Sequence, residues 1–161
     1  MRGGILMSLN VWNVFAPVYE FAMRSQKNIY DYMYERIGEV AKGKDVLELA
    51  TGPGMIARHI APLAKSVIAN ALHIIPNPEK ALAEIRRVLK DDGVLIAPNF
   101  IFREGGKRNL WQKFLSLVGV RFAHEWSENE YRSFLIANGW PIEMCIVLKG
   151  RIDLAYVECR K

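Results

Sequence analysis

Several stretches of the chain carry apolar residues three or four positions apart, the spacing that places them on one face of a helix. They are residues 26–41, 56–63, 78–89, 110–118 and 127–135. Asn77 suits the N-cap of the third stretch, and Pro78 suits its first position, where no backbone N–H is needed. Ser127 and Glu130 form a capping box at the start of the last stretch. The first and the last stretch are each followed by a helix-stopping glycine, Gly43 and Gly139.

Short apolar runs of strand length alternate with these helices. They are residues 45–49, 66–69, 94–98, 142–148 and 152–159. The run 94–98 is apolar throughout, which suits a strand buried on both faces of a parallel sheet. The last two runs flank Lys149-Gly150-Arg151, so the chain is expected to end in an antiparallel hairpin. The alternation predicts an α/β fold in a single domain over residues 1–161.

Composition limits the classes of function. The chain has 161 residues, and 22 lysines and arginines against 17 acidic residues give a net charge of +5 without a basic arm. The densest basic cluster, residues 103–113, lacks interleaved aromatic residues, so no nucleic-acid site is expected. No apolar run reaches the ~20 residues of a membrane span, and the N-terminus lacks a signal-peptide pattern, so we expect a cytoplasmic protein. Cys145 and Cys159 have no metal-ligand spacing and are expected to be reduced thiols.

The clearest chemical signal is a glycine-rich turn between the strand 45–49 and the helix that follows it. Gly52 and Gly54 allow a ligand to approach the backbone closely, and the helix N-terminus offers free N–H groups. This arrangement is typical of nucleotide-like ligands. The spacing of Gly52, Gly54 and Ala57 also fits the dinucleotide fingerprint, so these residues alone leave open a nicotinamide or flavin enzyme, or a turn without a ligand.

A family resemblance extends over nearly the whole chain. Residues 46–54 resemble the first motif of class I S-adenosylmethionine-dependent methyltransferases, with Ala50 where the first glycine is usual. Residues 70–93 resemble the fourth strand, loop, helix and fifth-strand entry of the small-molecule, or type 11, branch. The terminal hairpin resembles the antiparallel sixth and seventh strands of that fold. The order of these blocks favours the methyltransferase over the dinucleotide enzyme, and implies a Rossmann-like, mostly parallel sheet of about five strands with a C-terminal antiparallel hairpin.

The resemblance also implies a cofactor and its binding residues. S-adenosylmethionine would be the cofactor, S-adenosylhomocysteine its product and a small molecule the methyl acceptor. Residues 1–43 would form an N-terminal helical lid on an α/β core of residues 44–161. The implied cofactor-binding residues are Tyr19 in the lid, Glu48, Ala50, Thr51, Gly52 and Gly54 in the first motif, and Asn70.

The acceptor side has one candidate catalytic residue. Asn70 and His73 fall where the family's fourth strand ends, close to the transferred methyl group, and His73 could act as a base. A structural role is the more common one for a lone histidine after an apolar run. Methyl transfer needs chiefly proximity and orientation, so no catalytic side chain is obligatory. Trp111, Trp126 and Trp140 are expected to pack in the core or the lid.

The chain departs from the family at the ribose and adenine. The family's second strand ends in an acidic residue that holds the ribose, and a later aspartate reads the adenine. Here Ala69 runs straight into Asn70, and a segment of about 30 residues or more is missing between them. Each lost contact is worth roughly 1.5–3 kcal/mol, so cofactor affinity should fall by about a hundredfold or more.

Two further interpretations follow from the missing segment. The chain could be a non-catalytic, internally deleted methyltransferase-like protein that serves as an association module, including an intertwined homodimer in which each chain supplies strands to the other. Alternatively, the sequence lacks a segment that the natural gene product contains.

The glycine turn gives the first testable prediction. Gly52→Asp should abolish binding of S-adenosylhomocysteine, because the new side chain places bulk and charge where the ligand approaches the backbone. Isothermal titration calorimetry measures the affinity, and circular dichroism checks that the variant is folded. Unchanged affinity in a folded variant would contradict the assignment of the turn.

Overall fold

The computed structural model describes residues 26–44, 72, 75–102 and 123–161. Sequence-predicted strands 45–49 and 66–69 and helices 56–63 and 110–118 lie outside these ranges and stay predictions. The described elements, in chain order, are helix α1 (Lys27–Ala41), helix α2 (Pro78–Val88), strand β1 (Val94–Ile96), strand β2 (Asn99–Ile101), helix α3 (Glu128–Ala137), strand β3 (Ile142–Leu148) and strand β4 (Asp153–Arg160).

Helix α1 confirms the prediction made from its apolar period. Ile29, Met33 and Ile37 lie along one side of the helix and are buried. Gly43 follows the helix with φ of +72°, a left-handed conformation that glycine adopts without steric cost. The helix therefore ends where the sequence indicated.

Helices α2 and α3 begin at the predicted residues, but only α3 is capped as expected. Pro78 is the first residue of α2 and Asn77 is its N-cap, as expected, but the Asn77 side chain makes no capping hydrogen bond. In α3 the Ser127 N–H donates to the Glu130 carboxylate at 2.7 Å, and the Glu130 N–H donates to the Ser127 hydroxyl at 3.4 Å. The Ser127 N–H and the Ser127 hydroxyl both donate to the Glu130 carboxylate, and these two hydrogen bonds lower the pKa of Glu130. The capping box read from the sequence is confirmed.

Strand β4 is the centre of the described sheet. It pairs antiparallel with β3, which confirms the predicted C-terminal hairpin. It also pairs antiparallel with β1 near its C-terminal end and with β2 near its N-terminal end. All of these described pairings are antiparallel; the expected parallel pairs involve residues 45–49 and 66–69.

The sequence predicted a strand that ends at Pro98, whereas in the structure strand pairing continues beyond this proline. The run 94–98 was expected to be one strand of a parallel sheet, but β1 ends at Ile96 and its described partner is antiparallel. The Ala97 N–H still donates to the Val157 carbonyl at 2.8 Å. Pro98 has no N–H, and β2 then resumes at Asn99 in the same register against β4. The proline interrupts the ladder without shifting it.

Helices cover both faces of this sheet. Alternate β4 residues, Ala155, Val157 and Cys159, share an apolar cluster with residues of α2 and α3. The β4 residues between them face α1: the Tyr156 ring stands edge-on to the Tyr32 ring, with 5.6 Å between centroids. The described elements therefore form three layers, helix, sheet and helix, as the α/β prediction required.

Both cysteines are free, which agrees with the expected reduced thiols. Cys159 is buried in the sheet, and burial raises the pKa of its thiol to about 12. Cys145 is half-buried, and burial also raises its pKa. Because the thiolate is the reactive form, neither residue is suited to nucleophilic chemistry near neutral pH.

An ion pair between the partly exposed Arg36 and the buried Glu158 joins α1 to the sheet. The Arg36 guanidinium donates two hydrogen bonds to the Glu158 carboxylate, at 2.7 and 3.0 Å, and the Tyr156 hydroxyl donates a third at 2.9 Å. The Glu158 side chain is only 7% exposed, so its charge depends on these donors rather than on water. The hydrogen bond to Glu158 raises the pKa of Arg36, and burial and the nearby carboxylate raise the pKa of Tyr156.

Removing the cation of this pair should destabilise the fold. Arg36→Met is expected to lower the free energy of unfolding by about 3 kcal/mol, because it leaves a buried carboxylate without its cation. Urea denaturation followed by circular dichroism measures the loss.

The control for Arg36→Met is Lys27→Met on the same helix, where the ion pair with Asp31 is exposed. That change should cost about 0.5 kcal/mol or less. Adding Glu158→Gln to Arg36→Met should recover part of the loss, since no buried charge then remains. Equal effects of the two single variants would contradict the importance of the pair between Arg36 and Glu158.

Candidate functional site

Chain direction brings several element ends to one edge of the sheet. Because β2 and β3 both run antiparallel to β4, their carboxyl ends lie beside the start of β4. The Phe102 N–H, just after β2, donates to the Trp126 carbonyl at 2.8 Å, which brings the segment before α3 to the same place. We name this region the carboxyl edge. In open α/β sheets, ligands bind outside the carboxyl ends of the strands.

The start of α1 and the hairpin loop are also fixed at the carboxyl edge. The Ile152 N–H donates to the side-chain oxygen of Gln26, the residue before α1, at 3.3 Å. In the same loop the Asp153 carboxylate accepts hydrogen bonds from the Gly150 N–H and from the Lys149 ammonium group. Gln26 and Asp153 are both buried. These contacts fix the backbone of the hairpin loop next to the start of α1.

Three stacked rings, His124, Trp126 and Phe134, lie beside the end of β2, and we name them the aromatic stack. The His124 and Trp126 rings are nearly parallel, at 6°, with 4.7 Å between centroids. Trp126 stacks in turn on Phe134 at 4.6 Å and 24°. Phe134 belongs to α3, so the capped helix holds the stack in place.

Tyr131 ties the aromatic stack to the strand. Its ring lies 5.4 Å from the Trp126 ring, and its hydroxyl donates to the Ala97 carbonyl at 3.0 Å. Ala97 lies at the interruption between β1 and β2. Tyr131 is fully buried, and this burial raises its pKa well above the ordinary value, so it stays a neutral donor. Tyr131 therefore fixes α3 relative to the carboxyl edge.

His124 carries an unsatisfied polar atom. Its Nε2 is buried and, within the described part of the chain, has no hydrogen-bond partner. The residue as a whole is only partly buried. Buried polar atoms without a partner are uncommon and cost free energy, and they occur at sites where a ligand or water completes the bond.

The sequence analysis did not single out His124. Its sequence context, a histidine two residues before a tryptophan and three before the N-cap Ser127, carries no motif by itself. Trp126 was expected to pack in the core or lid, and its stacking agrees with packing. The signal that distinguishes His124 is the burial of one ring nitrogen, which only the tertiary structure provides.

The sequence-predicted site residues lie outside the described part of the chain. They are Tyr19, Glu48, Ala50, Thr51, Gly52, Gly54, Asn70 and His73. Leu72, the residue before His73, is described: it is buried in the apolar cluster against which Trp126 packs. The roles of the residues outside the described ranges stay predictions.

Two other classes of site find no support in the described residues. Across residues 26–44, 72, 75–102 and 123–161, no group of three metal-binding side chains comes together. None of the helices in these ranges is long and apolar enough to cross a bilayer.

The sequence and the structure of the chain were compared with those of known proteins, and the matches are to methyltransferases. Residues 65–97 match the methyltransferase domain family. No curated protein has a significantly similar sequence. A structure from Bacillus halodurans C-125, provisionally described as a methyltransferase, superposes with a TM-score of 0.60 at 16% identity, covering 81% of this chain and 97% of that one.

A second solved structure extends the comparison. The methyltransferase CalO6 superposes with a TM-score of 0.50 at 13% identity, over 79% of this chain and 52% of its own, so this chain spans about half the length of CalO6. At such identities the likeness concerns the fold. Residues 65–97 therefore carry the sequence match to the methyltransferase domain family, and the chain shares its fold with these two structures.

Proposed function

We propose that the chain transfers a methyl group from S-adenosylmethionine to a small-molecule acceptor at the carboxyl edge. The observation that carries this proposal is the place of the methyltransferase-domain match. Residues 65–97 run through α2 into β1, and β1 leads through β2 to the carboxyl edge. Ligands of open α/β sheets bind at such an edge.

The residues of the chain fit one part of this cofactor better than the other. Glu48, at the end of a predicted strand, and the predicted turn at Gly52 and Gly54 have the chemistry to hold the amino acid part of the cofactor, through a carboxylate and backbone N–H groups. The ribose and adenine find no matching acid, because Ala69 is followed directly by Asn70. We therefore propose weak cofactor binding, with S-adenosylmethionine supplying an activated methyl group when bound.

The described residues contribute binding and orientation rather than acid–base chemistry. Trp126 and Phe134 offer partly exposed aromatic surface for the apolar part of an acceptor. The Tyr131 hydroxyl stays protonated and donates its hydrogen bond to the Ala97 carbonyl, so Tyr131 holds the aromatic stack in place. In-line methyl transfer gains most from such positioning, which keeps water away and aligns the acceptor. His73 stays the proposed base on the acceptor side.

The alternative is a non-catalytic association module. The direct join of Ala69 to Asn70 favours it, because the missing segment would carry both acidic cofactor contacts. In this case two chains would exchange strands in an intertwined homodimer.

Cofactor binding is the direct test of the proposed function. The chain should bind S-adenosylhomocysteine with a dissociation constant in the micromolar range or weaker, measured by isothermal titration calorimetry, because only part of the expected contact set is present. The folded Gly52→Asp variant is the matched control and should give no heat. Absence of heat from the parent chain at millimolar ligand would contradict the proposed enzyme.

A further prediction concerns the oligomeric state of the chain. If the chain is an enzyme that works alone, size-exclusion chromatography with light scattering should give a single species near its monomer mass of 18.4 kDa. A stable species of twice that mass, together with no cofactor binding, would support the association module instead.

A further inference from the structure

We propose that His124 binds the hydroxyl group of the methyl acceptor, and that the aromatic stack holds the apolar body attached to that hydroxyl. This inference rests on the proposed function, since it names the acceptor class of the same site. It is carried by the buried, unpartnered Nε2 atom, by the stacked ring that fixes its direction, and by the place of both at the carboxyl edge.

The imidazole of His124 is held in one orientation. Its ring lies parallel to the Trp126 ring, and the Trp126 ring also stacks on Phe134 of α3. The backbone of Trp126 is tied to the end of β2 by the hydrogen bond from Phe102. A ring fixed in this way presents Nε2 in a constant direction, which is the property that a ligand-binding histidine needs.

The unsatisfied atom selects the chemistry of the partner. Neutral imidazole has one nitrogen that donates and one that accepts, so Nε2 requires either an acceptor or a donor. A hydroxyl group can be both and therefore satisfies Nε2 in either tautomer. The neighbouring Trp126 and Phe134 rings suit an aromatic or other apolar frame. Together these features indicate a phenol-like acceptor.

The second buried atom without a hydrogen-bond partner among the described residues, Nε1 of Trp140, lies in a different environment from His124 Nε2. Trp140 Nε1 is also buried without a hydrogen bond, but Trp140 is completely buried in the apolar cluster. The Arg86 guanidinium covers its ring at 5.4 Å. No ligand can reach it without opening the core. His124, by comparison, is partly exposed at the edge where ligands bind in this fold.

The test uses phenol and its methyl ether, anisole, as probes on the full chain labelled with ¹⁵N-histidine. The chain has three histidines, and His124→Phe assigns the His124 resonances by their loss. Phenol should shift the Nε2 resonance of His124 and bind about fivefold more tightly than anisole, which cannot donate a hydrogen bond. In His124→Phe the two probes should bind equally, because apolar contact alone remains.

A second variant separates the loss of the hydrogen bond from a loss of folded structure. His124→Asn keeps a polar group that can both donate and accept, and it should retain part of the preference for phenol. Near-ultraviolet circular dichroism checks the tryptophan environment in both variants. The proposal is overturned if phenol and anisole bind the parent chain equally, if the Nε2 resonance does not respond, or if His124→Phe keeps the preference.

Failure of this inference and failure of the proposed function can be told apart. The probe titration contains no cofactor, so it does not depend on binding of S-adenosylhomocysteine. A phenol preference in a chain that gives no heat with S-adenosylhomocysteine would support the hydroxyl site and contradict the methyltransferase. Cofactor binding without a phenol preference would support the methyltransferase and overturn the role of His124.

Discussion

Strand β4 is buried on both faces along nearly its whole length, and the described structure is organised around that constraint. A strand with two buried faces needs a strand on each edge and a layer on each face, since its backbone groups and side chains must all find partners. β3 occupies one edge, and β1 and β2 share the other. The side chains of α1 cover one face, and α2 and α3 cover the opposite face.

The two faces of β4 are stabilised by different physics. The face toward α2 and α3 is apolar, so burial of hydrocarbon is the main source of its stability. The face toward α1 contains the buried Glu158 carboxylate, which has to be matched by Arg36 and Tyr156. The paired charge adds the requirement that its hydrogen-bonding atoms lie at defined distances and angles. The ion pair therefore joins α1 to the end of β4, and the Gln26 contact joins the start of the same helix to the hairpin loop.

The carboxyl edge depends on the same arrangement. Its position follows from the antiparallel alignment of β2 and β3 against β4. The aromatic stack beside it is connected to α3 through Phe134. The capping box at Ser127 fixes where that helix starts, so it also fixes the chain that carries Trp126 and His124. The Ser127 capping box and the hydrogen bond from the Phe102 N–H to the Trp126 carbonyl thus both fix the short segment before α3.

The sequence by itself determined the features that depend on neighbouring residues. The period of the apolar residues, the Ser127 capping box and the hairpin at 149–151 are local, and α1, α2, α3, β3 and β4 follow them closely. The resemblance to class I methyltransferases agreed with the fold for the same reason, because it rests on the order of such elements. The residues it implied for the cofactor, such as Gly52 and Asn70, lie outside the described ranges.

Only the tertiary structure decided what depends on contacts between distant parts of the chain. The placement of β4 between β3 and the β1–β2 segment, and the continuation of that segment past Pro98, both require knowledge of the pairing partner. The matching of Arg36 with Glu158 joins residues far apart in sequence. The unsatisfied nitrogen of His124 has no signature in the chain, because burial and hydrogen bonding of one atom are properties of its surroundings and not of its residue type.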